Sequence, residues 1–272
     1  RVPRRVHTFT GLVWPTASGL SRRILMFTDW LTCACATHVI PEGQGVMNDL
    51  QRYITSKPMH VLGYGNVRGV DMQFWCRENA DADKLRGIKI PNIFTFLFVG
   101  RIVKDKGINE LVKAFMTVRK KHHIRLILVG RFEDSLDPVS DDTKAYITTC
   151  EDIIYAGPQY DTNLLSFYVA SDCFVFPSYR EGFPNTVLEA GAMSLPSIVT
   201  DINGSREIIE NEKNGLIVPS KDTDALRGAM ERIITDNAIR NTMQNNARPM
   251  IASRFEQGFV RKCMMDFYEE IT

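Results

Sequence analysis

Short apolar runs alternate with amphipathic stretches from residue 93 to the end of the chain. The run 93–99 is apolar apart from Thr95, as in a strand that is covered on both faces. Stretch 108–120 follows, and its residues Leu111, Val112 and Phe115 share one stripe at helical spacing. Further predicted strands are 124–129, 153–156, 173–176, 197–200 and 215–218. Helices are predicted at 163–170, 185–193, 206–210, 222–234 and 238–251. This alternation predicts βαβ units and a complete doubly wound α/β domain with a parallel sheet.

Residues 1–75 carry an incomplete version of the same pattern. Strands are predicted at 6–10, 36–40 and 59–62, with a helix at 21–33 between the first two. An open-sheet domain usually needs ~100–150 residues, so we expect part of a second α/β domain here, and an N-terminally truncated chain. Residues 76–92 are charged and then contain Pro91, as a linker would. The predicted domains are therefore 1–75, a linker at 76–92, a complete domain at 93–252 and a C-terminal helix at 253–272 that packs back on the N-terminal part.

Composition excludes several classes of protein. The 272 residues are 44% hydrophobic and 24% charged, with a net charge of +1, which is ordinary for a folded globular chain. A dedicated nucleic-acid binder would carry a basic excess, so no nucleic-acid partner is expected. The six cysteines include no Cys-x-x-Cys pair, and we interpret them as reduced thiols. Reduced thiols predict a cytoplasmic location.

The stretch Glu-Gly-Phe-Pro at 181–184 follows the predicted strand 173–176 and precedes a predicted helix. Ligands of open α/β sheets bind at the carboxyl ends of strands, and a helix N-terminus favours phosphate. Glu189 lies about one turn inside the helix. Two carboxylates that bracket a helix start suit the vicinal hydroxyls of a ribose or a hexose. The alternative is that both merely complement the helix dipole.

A second stretch, Gly-Arg-x-x-x-x-Lys at 100–106, leads from the first strand into a helix. Gly100 allows close approach of backbone to a ligand. Arg101 and Lys106 place a guanidinium and an ammonium where they could bind a diphosphate. A solvated basic loop before a helix is the alternative explanation.

These two motifs, with Gly-Ser-Arg-Glu at 204–207 and Asn-Gly-Leu-Ile-Val-Pro at 214–219, resemble the family 4 glycosyltransferases. Members of that family are retaining enzymes of the GT-B fold with a Glu-x7-Glu element. The segments 7–11 and 65–71 are similar to bacterial capsule and surface-polysaccharide members. The resemblance implies that 93–252 binds a nucleotide sugar and that 1–75 is the C-terminal part of an acceptor-side domain.

The resemblance also implies roles for single residues. Arg101 and Lys106 would hold the diphosphate of the donor, and Glu189 would bind the ribose hydroxyls. Glu181 would face the transferred sugar together with the amides of Gly182, Phe183 and Pro184. Many members carry a histidine near Thr10; here His7 lies three residues earlier, so that role is not assigned.

The function implied is transfer of a sugar from a nucleoside-diphosphate sugar to a glycan or lipid-linked acceptor in surface-polysaccharide synthesis. No cofactor is expected, and no metal, because the pairs Asp81/Asp83 and Asp222/Asp224 fall in the linker and at a helix start. Two alternatives stay open. One is a non-catalytic remnant that binds nucleotide sugar, and the other is an oxidoreductase using the glycine-rich turn 63–69.

Residues 1–41 are basic, with five arginines against Asp29, a net charge of +4. Leu20, Ile24, Leu25 and Phe27 accompany the arginines. This mixture suits peripheral contact with an anionic membrane, which here would be its inner face. An ordinary helix that covers a sheet explains the pattern equally well.

Overall fold

The structure is a computed structural model, and it describes residues 2–135 and 137–272. The strands are β1 Val6–Phe9, β2 His38–Pro41, β3 Phe94–Val99, β4 Ile124–Val129, β5 Ile153–Gly157, β6 Cys173–Phe176, β7 Ser197–Thr200 and β8 Gly215–Val218. The helices are α1 Gly19–Cys35, α2 Gln44–Tyr53, α3 Ala82–Ile88, α4 Ile108–Val118, α5 Asp141–Thr149, α6 Asp161–Ala170, α7 Asn185–Ala192, α8 Ser205–Ile208, α9 Thr223–Thr235, α10 Asn237–Phe255 and α11 Gln257–Glu270.

The C-terminal sheet has the strand order β5-β4-β3-β6-β7-β8, and its strands pair in parallel. All six residues of β4 are buried, so helices cover this part of the sheet on both faces. The doubly wound parallel sheet and the GT-B-like architecture that the sequence predicts are confirmed. Because the strands are parallel, their carboxyl ends meet along one edge.

The N-terminal unit has a smaller parallel sheet, in which β1 pairs with β2 from Val6 opposite His38 to Phe9 opposite Pro41. Its core includes Phe9, Trp14, Cys33 and Leu50 from β1, α1, α2 and their loops. The predicted strand at 59–62 is wrong. Met59 is buried in this core, but a groove of about 730 Å³ lined by His38, His60 and Phe267 lies between the segment and β2. Strand pairing with β2 is therefore absent at 59–62 in the described structure.

Residues 76–92 and the C-terminal helix both pack onto neighbouring elements. A short 3₁₀ turn precedes α3, and Leu85 and Ile88 of α3 contact the C-terminal core. Helix α11 packs on the N-terminal unit, where the rings of Phe267 and His38 lie 6.0 Å apart. The division of the chain at 76–92 stays a prediction.

The two units contact each other through small and polar residues. A Cβ on Gly182 would lie 1.8 Å from the carbonyl oxygen of Thr10, so only glycine permits this approach. The carboxylate of Glu207 accepts hydrogen bonds from the backbone N–H of Gln44 at 2.5 Å and of Gly45 at 3.1 Å. These contacts hold the end of β1 beside the carboxyl ends of β3 and β6.

Candidate active site

A cavity of about 290 Å³ lies between the two units at the carboxyl ends of β3 and β6. Arg101, Lys106, Glu181 and Gly182 line it from the C-terminal unit, and residues 10–13 line it from the N-terminal unit. Four of the residues predicted from the two motifs are thus brought together. Open α/β sheets bind their ligands at this edge.

Close backbone packing positions the two cations. The N–H of Gly100 donates to the carbonyl of Val129 at 2.9 Å, and a Cβ on Gly130 would lie 1.7 Å from the carbonyl oxygen of Gly100. Beyond this point a 3₁₀ turn at 104–106 carries Lys106, and Gly107 takes a left-handed conformation before α4 begins. Arg101 donates to Glu133 at 2.9 Å and remains half exposed.

Lys106 and Glu181 form an ion pair, and their side chains are only 14% and 16% exposed. The hydroxyl of Ser178 donates to Oε1 of Glu181 at 2.7 Å, which orients the carboxylate toward Lys106. A partly buried ammonium is a strong partner for phosphate oxygens, because little water screens it. A diphosphate at Lys106 must share or replace the contact with Glu181.

The start of α7 offers hydrogen-bond donors beside this pair. The N–H groups of Gly182 and Phe183 find no acceptor among residues 2–135 and 137–272. The sequence analysis predicts that the amide of Pro184 also faces the sugar. Pro184 has no N–H, so it cannot donate a hydrogen bond there. The Phe183 ring is buried against Phe255, with ring centroids 5.4 Å apart, and Phe183 does not line the cavity.

Glu189 lines a separate cavity of about 370 Å³. Its other lining residues include Arg68, Trp75, Tyr160 and Asn185. The hydroxyl of the fully buried Tyr168 donates to Oε2 of Glu189 at 3.2 Å. Burial raises the pKa of Glu189 to about 7, while the Tyr168 hydrogen bond and the charge of Arg68 act in the opposite direction. Glu181, in the loop before α7, therefore lines one cavity, and Glu189, about one turn inside α7, lines the other.

Sequence reasoning did not find several residues of the site. Thr10 and Gly11 line the first cavity, and their position just after β1 was the available signal. The sequence also gave no signal that Ser178 orients Glu181. Glu207 belongs to the motif at 204–207, but its contact with the start of α2 could not be predicted from the sequence. His7 lines a groove beside α1 and not this cavity. The role of the family's histidine therefore stays unassigned in this chain.

The remaining motifs have structural roles in the chain. Asp81 and Asp222 cap α3 and α9 by accepting from backbone N–H groups. Within the described residues, no cluster of three or more His, Cys, Asp or Glu side chains could hold a metal ion. In the turn 63–69, Gly65 packs closely against protein, since a Cβ on this residue would lie 2.7 Å from the carbonyl oxygen of Glu42.

Comparison with known proteins places these features in one family. A model of the family Glycosyl transferases group 1 matches residues 84–250. The chain is 27% identical over 269 residues to the capsular polysaccharide biosynthesis glycosyltransferase CapM of Staphylococcus aureus, an alignment covering 98% of this chain and 70% of CapM. It is 28% identical to the UDP-Gal:alpha-D-GlcNAc-diphosphoundecaprenol alpha-1,3-galactosyltransferase of Escherichia coli, covering 93% of this chain and 66% of that enzyme. The chain thus spans about two thirds of the length of these relatives.

Solved structures share the fold. The sucrose-phosphate synthase of Thermosynechococcus elongatus superposes with a TM-score of 0.82 and 23% identity, over 98% of this chain and 67% of that one. HepE of Anabaena, solved in complex with UDP, superposes with a TM-score of 0.82 and 17% identity, over 97% of this chain and 72% of HepE. None of the described helices combines the length and the apolar character needed to cross a bilayer.

Proposed function

Because the chain belongs to the group 1 glycosyl transferases, we propose that it transfers a sugar from a nucleoside-diphosphate sugar to a glycan or lipid-linked acceptor. The observation that carries this proposal is the cavity in which Arg101, Lys106 and Glu181 meet the loop after β1. Fixed positive groups face a helix start with free N–H donors, and the opposite wall belongs to the other unit. A donor and an acceptor could meet there.

In this proposal the chain stabilises the departing nucleoside diphosphate. Negative charge develops on the diphosphate as the bond to the anomeric carbon breaks, and Arg101 and Lys106 bind its oxygens. Loss of one preorganised group of this kind typically costs ~3–4 kcal/mol of barrier. Glu181 and the N–H groups of Gly182 and Phe183 hold the sugar, and Glu189 binds the ribose hydroxyls. The retaining stereochemistry is carried over from the resemblance of the Glu-x7-Glu element.

Relatives support the classes of donor and acceptor. The Anabaena protein of the same fold was solved with UDP, and the name of the Escherichia coli relative specifies a UDP-sugar and a diphosphoundecaprenol-linked acceptor. CapM serves capsular polysaccharide synthesis. We therefore assign this chain to bacterial surface-polysaccharide assembly on the cytoplasmic side of the membrane, where sugar nucleotides are made.

A non-catalytic remnant that binds the donor and transfers nothing is the second candidate. Consumption of the sugar nucleotide in the presence of bacterial lipid-linked acceptors separates the two candidates. Binding of donor without any consumption would support the remnant.

The test of the proposed site separates the two glutamates by calorimetry. A thermal-shift panel of sugar nucleotides first identifies the donor, since a ligand at 100 times its Kd adds about 2.7 kcal/mol of stability. Glu181→Ala should then weaken binding of the sugar nucleotide by roughly 10- to 150-fold, the value of a lost charged hydrogen bond. Binding of the bare nucleoside diphosphate should be unchanged or tighter, because the substitution frees Lys106 from its ion pair.

Glu189→Ala is the matched control, and it should weaken both ligands equally because both contain the ribose. Titrations in EDTA should give the same affinities, since the proposed phosphate contacts come from the chain. If Glu181→Ala weakened the bare diphosphate as much as the sugar nucleotide, the assignment of Glu181 to the sugar would be wrong.

A further inference from the structure

Tyr168 lies beneath Glu189 and is closed off from solvent. It belongs to α6, it is fully buried, and its hydroxyl donates to Oε2 of Glu189 at 3.2 Å. The carbonyl oxygen of Thr186, at 3.5 Å, is a second acceptor. A phenol has one proton to donate, and the carboxyl group offers the shorter contact. Burial raises the pKa of Tyr168 well above its ordinary value, so the hydroxyl keeps this proton at neutral pH.

Packing fixes the position of the Tyr168 ring. The ring of Trp75 stands edge-on to it, with centroids 5.6 Å apart, and the ring of Phe174 in β6 lies 5.9 Å away. Arg248 of α10 donates to the carbonyl oxygens of Trp75 and Ala192, which ties the segment of Trp75 to the end of α7. Since several elements hold the ring, the hydroxyl is a donor with a fixed position.

The second oxygen of Glu189 is open to the cavity that this residue lines. Among residues 2–135 and 137–272, the Glu189 carboxyl group has one hydrogen bond, with Tyr168, and no ion pair. Oε1 therefore accepts nothing from the described residues, and it is accessible from the cavity. A glutamate side chain has three torsions, so fixing one oxygen restricts the direction in which the other points.

We propose that Tyr168 is a positioning residue of the donor site, because by holding Oε2 of Glu189 it turns Oε1 toward the ribose hydroxyls of the nucleotide. This inference rests on the proposed function, in which Glu189 binds that ribose. Tyr168 itself does not touch the donor. It removes alternative rotamers of Glu189 before the ligand arrives, which lowers the entropy cost of binding.

The same hydrogen bond affects the charge of Glu189. Burial raises the pKa of Glu189 to about 7, and the hydrogen bond from Tyr168 opposes this because it favours the ionised form. Other charged groups line the cavity: Arg68 lowers the pKa of Glu189, and Asp71 and Asp161 face the same space. The ionised carboxylate is the stronger acceptor for ribose hydroxyls, so nucleotide affinity should rise as the pH increases through about 7.

A double-mutant cycle measures the coupling between Tyr168 and Glu189. The probe is UDP, GDP or ADP, whichever binds most tightly in the thermal-shift panel, and calorimetry at about pH 7 gives its affinity. Tyr168→Phe removes only the hydroxyl and should weaken binding roughly tenfold. In the Glu189→Ala background the same substitution should change affinity by no more than about twofold, since no carboxylate is left to position. Equal weakening in both backgrounds would overturn the proposal, because Tyr168 would then act through the packing of α6.

A pH titration separates positioning from a structural role. In Tyr168→Phe the midpoint of the rise in affinity should move to higher pH by about 1 unit, because the lost hydrogen bond favours the ionised form. Carboxyl-carbon NMR of glutamate-labelled protein follows the ionisation of Glu189 without any ligand and should show the same displacement. A midpoint that stays at the wild-type pH would contradict the role given to Tyr168.

Tyr179→Phe is the matched control. The Tyr179 hydroxyl donates to Glu110 at 2.7 Å, and both residues lie outside the two cavities, so this variant should bind the nucleotide like the wild type. Melting curves verify that each variant folds. Failure of the wild type to bind any nucleoside diphosphate would refute the proposed function itself. Normal binding by the wild type with unchanged affinity in Tyr168→Phe would overturn only the positioning role.

Discussion

At the scale of single residues, burial controls the charge of two carboxyl groups near the junction of the units. The pKa of Glu42 is raised to about 7 by burial, against a hydrogen bond from the backbone of Val67. The pKa of Glu189 is raised to about 7 for the same main reason. Both groups keep their protons in the folded chain at pH values where the unfolded chain has lost them. Each therefore stabilises the fold at low pH, and this contribution disappears as the pH rises.

The pH dependence of stability tests this description of Glu189. The folded-state pKa of about 7 lies above the ordinary value of 4.5, so the stabilisation is full below pH 4.5 and is lost as the pH rises to about 7. The loss is on the order of 3 kcal/mol. Glu189→Gln keeps an acceptor for Tyr168 and removes the ionisation. Urea unfolding at about pH 5 and pH 8 should therefore show a smaller fall in the free energy of unfolding for this variant.

The exposed Glu269→Gln serves as the control and should leave the fall unchanged. Because Glu42 titrates in the same range, the fall should shrink in Glu189→Gln and not vanish. An equal fall in wild type and Glu189→Gln would show that Glu189 is ionised at neutral pH in the free protein.

At the scale of elements, two loops approach so closely that a single methyl group decides whether they fit. Gly182 precedes α7 and packs on the carbonyl of Thr10, which follows β1. A Cβ on Gly182 would meet the backbone of Thr10, and a backbone cannot rotate away as a side chain can. The contact fixes how far the loop after β1 stands from Glu181.

Gly182→Ala should lower the free energy of unfolding by about 1–3 kcal/mol, the usual cost of overpacking, and should also weaken donor binding. Gly228→Ala is the matched control. Gly228 lies in α9 with nothing within 4 Å of an added Cβ, so alanine should raise stability by roughly 0.5–1 kcal/mol. Chemical denaturation of both variants measures the contrast. Equal effects would show that the Gly182 contact is not tight in solution.

Elements that depend on local apolar patterning were predictable from the sequence. The predicted bounds of β4, β6, β7 and β8 agree with the structure, because each is a short buried run between turn residues. The segment 59–62 has an equally strand-like composition but lies beyond the groove beside β2. Strand formation there depends on a partner strand within reach, which local composition does not reveal.

The candidate site was predictable to the same degree. Arg101, Lys106, Glu181 and Gly182 are close in the structure because each follows a strand of one parallel sheet, and strand ends can be read from the pattern. The contacts that orient them were not predictable. Ser178 reaches Glu181 through a turn whose geometry depends on Thr200, a hydrogen-bond partner 22 residues away.

At the scale of the whole molecule, polar contacts to α2 hold the two units in register. The backbone N–H groups of Gln44 and Gly45 donate to the carboxylate of Glu207, and the Asn203 amide donates to Asp49 at 2.8 Å. A carboxylate at a helix N-terminus also interacts favourably with the helix dipole. Since the first cavity is lined by both units, its shape depends on these contacts as much as on its own residues.

Removal of the Glu207 carboxylate should loosen the junction between the units. Glu207→Ala removes the acceptor of the first two N–H groups of α2, and we expect the free energy of unfolding to fall by about 1–2 kcal/mol. Hydrogen exchange at Gln44 and Gly45 should accelerate, and donor affinity should fall although Glu207 lines neither cavity. The free energy of unfolding of Glu207→Gln, which keeps one acceptor oxygen, should lie between the values for the wild type and Glu207→Ala.

The surface pair of Glu212 with Arg232 supplies the control, because Glu212→Ala removes a carboxylate that contacts a single unit. If exchange at α2 were the same in Glu207→Ala and Glu212→Ala, the two units would be held together by apolar packing and not by this carboxylate.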